Sequence, residues 1–248
     1  MAPSPDGSAS RLRRTLDWPF DGLGSSVAVL KTKGAAGDYF SVTWPGFAGV
    51  LTAMAPGRFS LAVNQAKDWH GKMTRLAEWP VARLRFYVSG ALPPVHLARQ
   101  VCEEASDYDA AVRMLSEMPV CLPAFFVLSG VRPGQGCVIE REGRRAHVHP
   151  TPEVCANHWL FPGLHGRGPS PLQRIDRLSD HQRISHARRA ALAARQQADD
   201  GQGFGWLTPP VLCPDTKVAC MAEAGHGWMA VQGIEGMAAA TEILSVTA

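Results

Sequence analysis

The sequence predicts an α+β fold in which two antiparallel sheets are layered together and helices pack outside them. Three observations carry that prediction. Short apolar runs separated by turn signals crowd the N-terminal part of the chain, the apolar period then lengthens to a helical one, and strand-like runs return before and after a late helix. This succession is not the strict strand–helix alternation of a parallel sheet, and no internal repeat accompanies it.

The first strands are expected at Ser26–Thr32, Tyr39–Trp44, Ala48–Met54 and Arg58–Val63, with turns at Lys33-Gly34, Pro45-Gly46 and Pro56-Gly57 between them. In the last run Phe59, Leu61 and Val63 share one face, as the two-residue period of a strand requires. Pro80–Val88 and Pro93–Val101 both open with proline, which the first turn of a helix tolerates. Asp107 is placed to cap a helix over Tyr108–Met118, where Ala111, Leu115 and Met118 recur at helical spacing. Strands resume at Ala124–Ser129, Gly136–Arg141 and Arg145–His149. A loop over Pro162–Pro171 leads to an alanine-rich helix at Asp180–Gln197, and the tail returns to strands at Thr216–Met221 and Gly227–Gln232.

The chain has 248 residues, enough to bury one large core, and is read as a single domain over 1–248. Apolar residues make up 46% and charged residues 19%, a globular composition. A formal net charge of +3 is too small to argue for nucleic acid, and the basic run from Ser185 to Arg195 reads as the solvated face of a helix. No apolar run approaches the ~20 residues that span a bilayer. No secretory apolar region follows Met1. These features place the chain in the cytoplasm, and nothing in them excludes a homo-oligomer. The six cysteines, Cys102, Cys121, Cys137, Cys155, Cys213 and Cys220, form no C-x-x-C. Cys155 and His158 are the nearest approach to a metal pair, without a second pair at ligand spacing, so no metal or cofactor is expected.

Three stretches carry chemistry. In R-T-L-D, Arg14 and Asp17 stand three apart and would point to opposite faces of a strand unless it ends or bends, for which Trp18-Pro19 supplies a reason. The spacing alone fits a surface ion pair as well as a fixed cation and carboxylate at the mouth of a sheet. Asn64 closes the apolar strand F-S-L-A-V-N, and Asn157 sits in V-C-A-N-H-W. Each is either a strand-end cap or a carboxamide whose N–H groups can stabilise an oxyanion. Trp18, Phe20, Trp44, Phe47 and Trp69 gather aromatic surface nearby, as core or as the lining of an acyl pocket.

Taken in order, R-T-L-D-W-P-F, W-P-G-F-x-G-V-L-T-x-M-x-P-G-R-F-S-x-x-x-N-Q and N-H-W resemble the acid-ceramidase-like amidases. These belong to the choloylglycine hydrolase and penicillin acyltransferase group of N-terminal-nucleophile hydrolases. The segments A-F-F-V-L-S-G-V-R-P-G-Q-G-C-V-I-E-R and P-V-L-C-P-D-T-K-V-A-C-M extend the likeness over most of the chain. The resemblance implies a four-layer αββα sandwich, here without the extreme start of its first strand, and a small-molecule N-acyl amide as substrate. It implies a cysteine at the mature N-terminus whose own amine is the base, so that nucleophile and base share one residue. By position, Arg14 would favour the thiolate, Asp17 would hold the terminal amine, and Asn64 and Asn157 would donate to the oxyanion. A late-helix arginine falls at Arg188 or Arg183. Trp18, Phe20 and Trp44 would line the acyl site.

The chain departs from that pattern in one place. Thirteen residues precede Arg14, slightly fewer than separate the family's cysteine from its arginine, and neither Met1 nor Ala2 is a nucleophile. None of the six cysteines lies near the start. The chain as given is therefore expected not to hydrolyse amides. Two explanations are open: a start placed downstream of the nucleophile, toward which the family-like strand-turn A-P-S-P-D-G points, or an inactive relative that binds a ligand. Cys213, where relatives more often carry asparagine, points toward the second.

Overall fold

The computed structural model describes residues 1–66, 84, 88, 90–150, 154–161, 164, 180–195 and 203–248. Seven strands follow one another in an antiparallel sheet: β3 (Ala28–Gly34), β4 (Gly37–Thr43), β5 (Thr52–Ala55), β6 (Phe59–Gln65), β7 (Ala124–Ser129), β8 (Gly136–Glu142) and β9 (Arg145–Pro150). A six-stranded antiparallel sheet joins the two ends of the chain. Its order is β1 (Ala2–Pro3), β2 (Ser10–Asp17), β10 (Thr216–Glu223), β11 (Trp228–Glu235) and β12 (Ala238–Ala239), with β13 (Leu244–Thr247) also paired to β11.

The sheets face each other. Leu12, Val218, Cys220 and Ala222 from one meet Leu61, Phe126 and Leu128 from the other in one buried cluster. On the far side of the seven-stranded sheet lie α1 (Pro94–Glu104) and α2 (Tyr108–Glu117). Leu97, Ala98, Val101 and Cys102 repeat at helical spacing along the buried face of α1. Asp107 caps α2 as expected, accepting from the Ala110 N–H at 2.8 Å. On the far side of the six-stranded sheet, Ala191 and Leu192 of α3 (Asp180–Ala194) pack against Trp206, Val211, Met221, Trp228 and Ala230. Along β10, Val218, Cys220 and Ala222 turn inward while Met221 turns to α3, the two-residue period of a strand with both faces covered. The four layers are thus helix, sheet, sheet, helix.

Several elements differ from expectation. β5 starts at Thr52 rather than Ala48, because Gly49 passes so close to α1 that a Cβ there would lie 2.8 Å from the Val95 Cβ. The strands β12 and β13, only two and four residues long, have no clear signature in the sequence. The helix expected over Pro80–Val88 lies outside the described residues apart from Leu84 and Val88, as does the loop Pro162–Pro171 apart from Leu164. The basic run of α3 is not a solvated face. Arg188 and Arg189 turn to protein partners and Arg195 is half-buried, because the helix lies against a sheet whose strand ends supply carboxylates and carbonyls.

Candidate active site

The site is built around the end of β2. Alternation along this strand sends Arg13, Thr15 and Asp17 toward α3 and Arg14 toward the opposite sheet. Arg13 Nη1 donates to the Arg195 carbonyl at 3.0 Å, and Arg188 Nη2 donates to Thr15 Oγ1 at 3.2 Å and forms an ion pair with Asp17 Oδ2. Arg14, 5% exposed, crosses between the sheets. Its Nη1 donates to the carbonyls of Leu51 at 3.0 Å and Val63 at 2.8 Å, and so holds the end of β6 where Asn64 begins. Burial lowers its guanidinium to about 10, which leaves it a cation at neutral pH.

Asp17 closes β2. Opposite it the register of β10 shifts between Thr216 and Val218, and the chain turns away at Trp18, whose N–H donates to the Asp215 carbonyl at 2.8 Å. The Asp17 carboxylate therefore sits at a strand mouth with two partners, Arg188 and the Thr216 hydroxyl, which donates to Oδ1 at 2.9 Å. Thr216 also accepts from the Cys213 N–H at 3.0 Å, so the loop before β10 is tied to the same carboxylate. Arg188 is the late-helix arginine that reaches the site, whereas Arg183 is exposed. Thr216 was not singled out in the sequence; only its place after P-V-L-C-P-D hinted at it.

The two asparagines take different surroundings. Asn64, opposite Phe125 in the register, aims its Nδ2 at Cys155 Sγ, 3.8 Å away. The Asn157 carboxamide instead donates to the Gln65 carbonyl at 3.0 Å, and its backbone N–H donates to Ser185 Oγ at 3.1 Å. Cys155, rather than Asn157, thus stands beside Asn64. Burial pushes the Cys155 thiol up to about 12, against the hydrogen bond from Asn64 and, after it, the charges of Arg189 and Arg14. Segment 154–161 is fastened at several points. Arg189 donates to the Val154 carbonyl at 2.8 Å, the buried Glu140 carboxylate accepts from the N–H groups of Leu160 and Phe161, and Trp159 packs edge-on to Phe125 with ring centres 4.9 Å apart. His158 meets Ser185 Oγ through Nδ1 at 2.8 Å and stacks on His186, and burial lowers its imidazole to about 4.

Residue 1 lies at the same place. Met1 is 7% exposed, its side chain reaches Gly136 of β8, and its α-amino group is within electrostatic range of Arg13 and Cys155. Burial first, and Arg13 second, lower that amine to about 6. Among the aromatics, Trp44 is 7% exposed with its indole N–H on the Leu23 carbonyl, Phe20 is 57% exposed, and Trp18 bridges them. Trp44 is accordingly core, whereas Phe20 and the edge of Trp18 present surface. Trp69 lies outside the described residues. Cys155 and His158 turn to different partners, and among the described residues no group of three His, Cys, Asp or Glu side chains could hold a metal ion.

No family model matches the chain. Acid ceramidase from Heterocephalus glaber is 33% identical over 102 residues, 41% of this chain and 25% of that protein. The Homo sapiens protein is 31% identical over 104 residues, covering 42% and 25%. The matched stretch thus spans about a quarter of the length of these curated relatives. A Caenorhabditis elegans N-acylethanolamine-hydrolyzing acid amidase ortholog superposes with a TM-score of 0.66 at 18% identity, over 90% of this chain and 91% of that one. A mutant conjugated bile acid hydrolase from Clostridium perfringens gives 0.53 at 10% identity, over 99% and 90%. Two facing antiparallel sheets with helices outside and a strand-end site define an N-terminal-nucleophile hydrolase fold. Within that fold class, the matched stretch of the chain is similar to acid ceramidase.

Proposed function

We propose that the strand-end site serves hydrolysis of linear amide bonds in N-acyl compounds by a cysteine placed at, or directly ahead of, the position of residue 1. The observation that supports this reading is the convergence on one buried place of the first residue's amine, Arg14 and Asn64. An amine held at about 6 is largely unprotonated at neutral pH, the state in which it can take the proton of a thiol on its own residue. Arg14 supplies a fixed positive charge toward the thiolate. Asn64 offers an N–H donor to the tetrahedral oxyanion, a contact whose loss commonly costs ~3 kcal/mol in the barrier. Asp17, held by Arg188 and Thr216, fixes the strand end from which Arg14 projects. Asn157 positions the neighbouring segment through the Gln65 carbonyl. Phe20 and Trp18 offer apolar surface to the acyl group. Water resolving the acyl-enzyme gives hydrolysis, and an amine in its place gives acyl transfer.

Three forms test the proposal against N-acylethanolamines and N-acyl amino acids: the 248-residue chain, Met1→Cys with a freed terminus, and a chain with cysteine joined before residue 1. Turnover only in a cysteine-bearing form is expected. Turnover by the 248-residue chain, or silence from both cysteine forms with a confirmed free terminus, overturns it.

A second reading, binding without cleavage, is favoured by Cys155. Cys155, beside Asn64, is kept by burial as a neutral thiol. Calorimetric binding of an N-acylethanolamine to the 248-residue chain, with both cysteine forms inert, is the outcome that selects this reading.

A further inference from the structure

The opposite end of β2 carries a second chemical arrangement, on the surface. The turn between β1 and β2 is held by Asp6, whose carboxylate accepts from Ser4 Oγ at 2.6 Å, the Ser8 N–H at 3.1 Å and Ser8 Oγ at 2.7 Å. Gly7 makes the tight path possible at φ +71°, in the left-handed region. This turn presents the exposed Ser8 hydroxyl to the hairpin between β10 and β11, where it lies 2.8 Å from His226 Nε2. His226 Nδ1 lies 2.6 Å from Glu223 Oε2, and the other Glu223 oxygen is ion-paired with Arg11 Nε. The Glu223 and Arg11 side chains are only 5% and 2% exposed, and the Arg11 guanidinium lies 5.3 Å over the Trp228 ring.

The direction of these contacts follows from charge. Glu223, paired with Arg11, is a carboxylate and can only accept, so the Nδ1–H of His226 donates to it. In the neutral imidazole that leaves the Nε2 lone pair facing the Ser8 hydroxyl. The order is buried carboxylate, oriented imidazole, exposed hydroxyl, the arrangement by which a serine is activated as a nucleophile. The single hydroxyl proton has a second acceptor in Asp6, which also lies 3.6 Å from Nε2 and offsets the charge that the ring acquires with the proton.

We propose that Ser8, with His226 as base and Glu223 as its orienting carboxylate, is an acyl-accepting site for activated esters and thioesters. Ser8 Oγ bonds to the acyl carbon while its proton passes to His226 Nε2. The carbonyl re-forms as the bond to the leaving group breaks, and His226 returns the proton to the departing alkoxide or thiolate. The products are an acyl ester on Ser8 and a free alcohol or thiol. The N–H groups of Gly7, Ser8 and Ala9 are committed to the Ser4 carbonyl, Asp6 and Ser4 Oγ, so they do not converge on the oxyanion. The site therefore takes only donors with good leaving groups, and the acyl-serine persists instead of turning over. This inference is independent of the amide-hydrolase reading.

The test uses the full chain and p-nitrophenyl acetate at neutral pH, with p-nitrophenol release followed by peptide mass mapping so that acetylation of amines is counted separately. Acetylation of Ser8 is expected to exceed that of the exposed Ser26 by about tenfold or more, the contribution of a positioned base. Ser8→Ala removes that signal. His226→Ala and His226→Gln, at an exposed position, cut it by about tenfold or more while Ser26 and the thermal unfolding midpoint stay unchanged. Acetylation of Ser8 no faster than of Ser26, or equally fast in either folded His226 variant, overturns the proposal.

Discussion

The two ends of β2 hold the same kinds of side chain in opposite order. At its start the arginine–carboxylate pair is the enclosed part, Arg11 with Glu223, and the network opens outward through His226 to an exposed hydroxyl. At its end the enclosed part is a cation, Arg14, which rests on two backbone carbonyls among the described residues. The ion pair there, Arg188 with Asp17, is half-open at 17% and 19% exposure. A positive charge that sits on carbonyl dipoles without a carboxylate directly against it remains available to a developing anion, whereas one paired with a carboxylate does not. The end of β2 is therefore suited to stabilising negative charge beside Arg14, and its start is suited to orienting an imidazole.

That difference can be broken most sharply at the enclosed pair. Glu223→Gln removes the carboxylate charge held against the buried Arg11 guanidinium and is expected to lower stability by about 3–5 kcal/mol, read from the denaturant midpoint. An unchanged midpoint would mean that the enclosed pair adds no net stability and that the two ends do not differ in this respect.

A smaller effect is expected from pH at the wall of the site. Burial holds the His158 imidazole at about 4 in the folded chain against 6.5 as its ordinary value, with His186 and Arg189 opposing its charge from α3 and Ser185 engaging Nδ1. The folded state binds fewer protons than the unfolded one between these values, so this contribution to stability is fully present above pH ~6.5 and is lost as pH falls toward ~4. The loss is on the order of 2 kcal/mol, and His158→Gln should flatten the slope of stability against pH in that window. A slope unaltered by the substitution would place the acid sensitivity elsewhere.

The least costly substitution is at the half-open pair. Asp17→Asn keeps a group that can still accept from Thr216 and removes only the charge facing Arg188, so about 1 kcal/mol is expected. A loss as large as that of Glu223→Gln would erase the contrast between the ends. In a cysteine-bearing form, a change in turnover far larger than the change in stability would show that Asp17 serves the site beyond holding the strand.

The layers were legible because their signals are local. The turn pairs Pro45-Gly46 and Pro56-Gly57, the alternation of Phe59, Leu61 and Val63, and the Asp107 cap each act over a few residues, and the sequential sheet β3–β9 is little more than their sum. The site was half legible. Arg14, Asp17 and Asn64 stand out in short motifs, and the Trp18-Pro19 step correctly signals the strand end. Asn157 drew attention for its amide, but its amide turns to the backbone, and it is Cys155 two residues earlier that faces Asn64. In an irregular segment no fixed period states which side chain points inward.

The residues of this chain specify their own strands, helices and caps, and they place a cation and a carboxylate at the end of one strand. Which partners those groups acquire is settled by folding. Thr216 meets Asp17 from 199 positions away, and the basic face of α3 becomes part of a site only because β10 inserts beside β2 and brings the helix over it. Ser8 and His226 meet for the same reason, across 218 positions. Propensity and patterning act over one or two turns of chain, whereas the pairing of β2 with β10 is a long-range closure stabilised by the burial of both sheets at once.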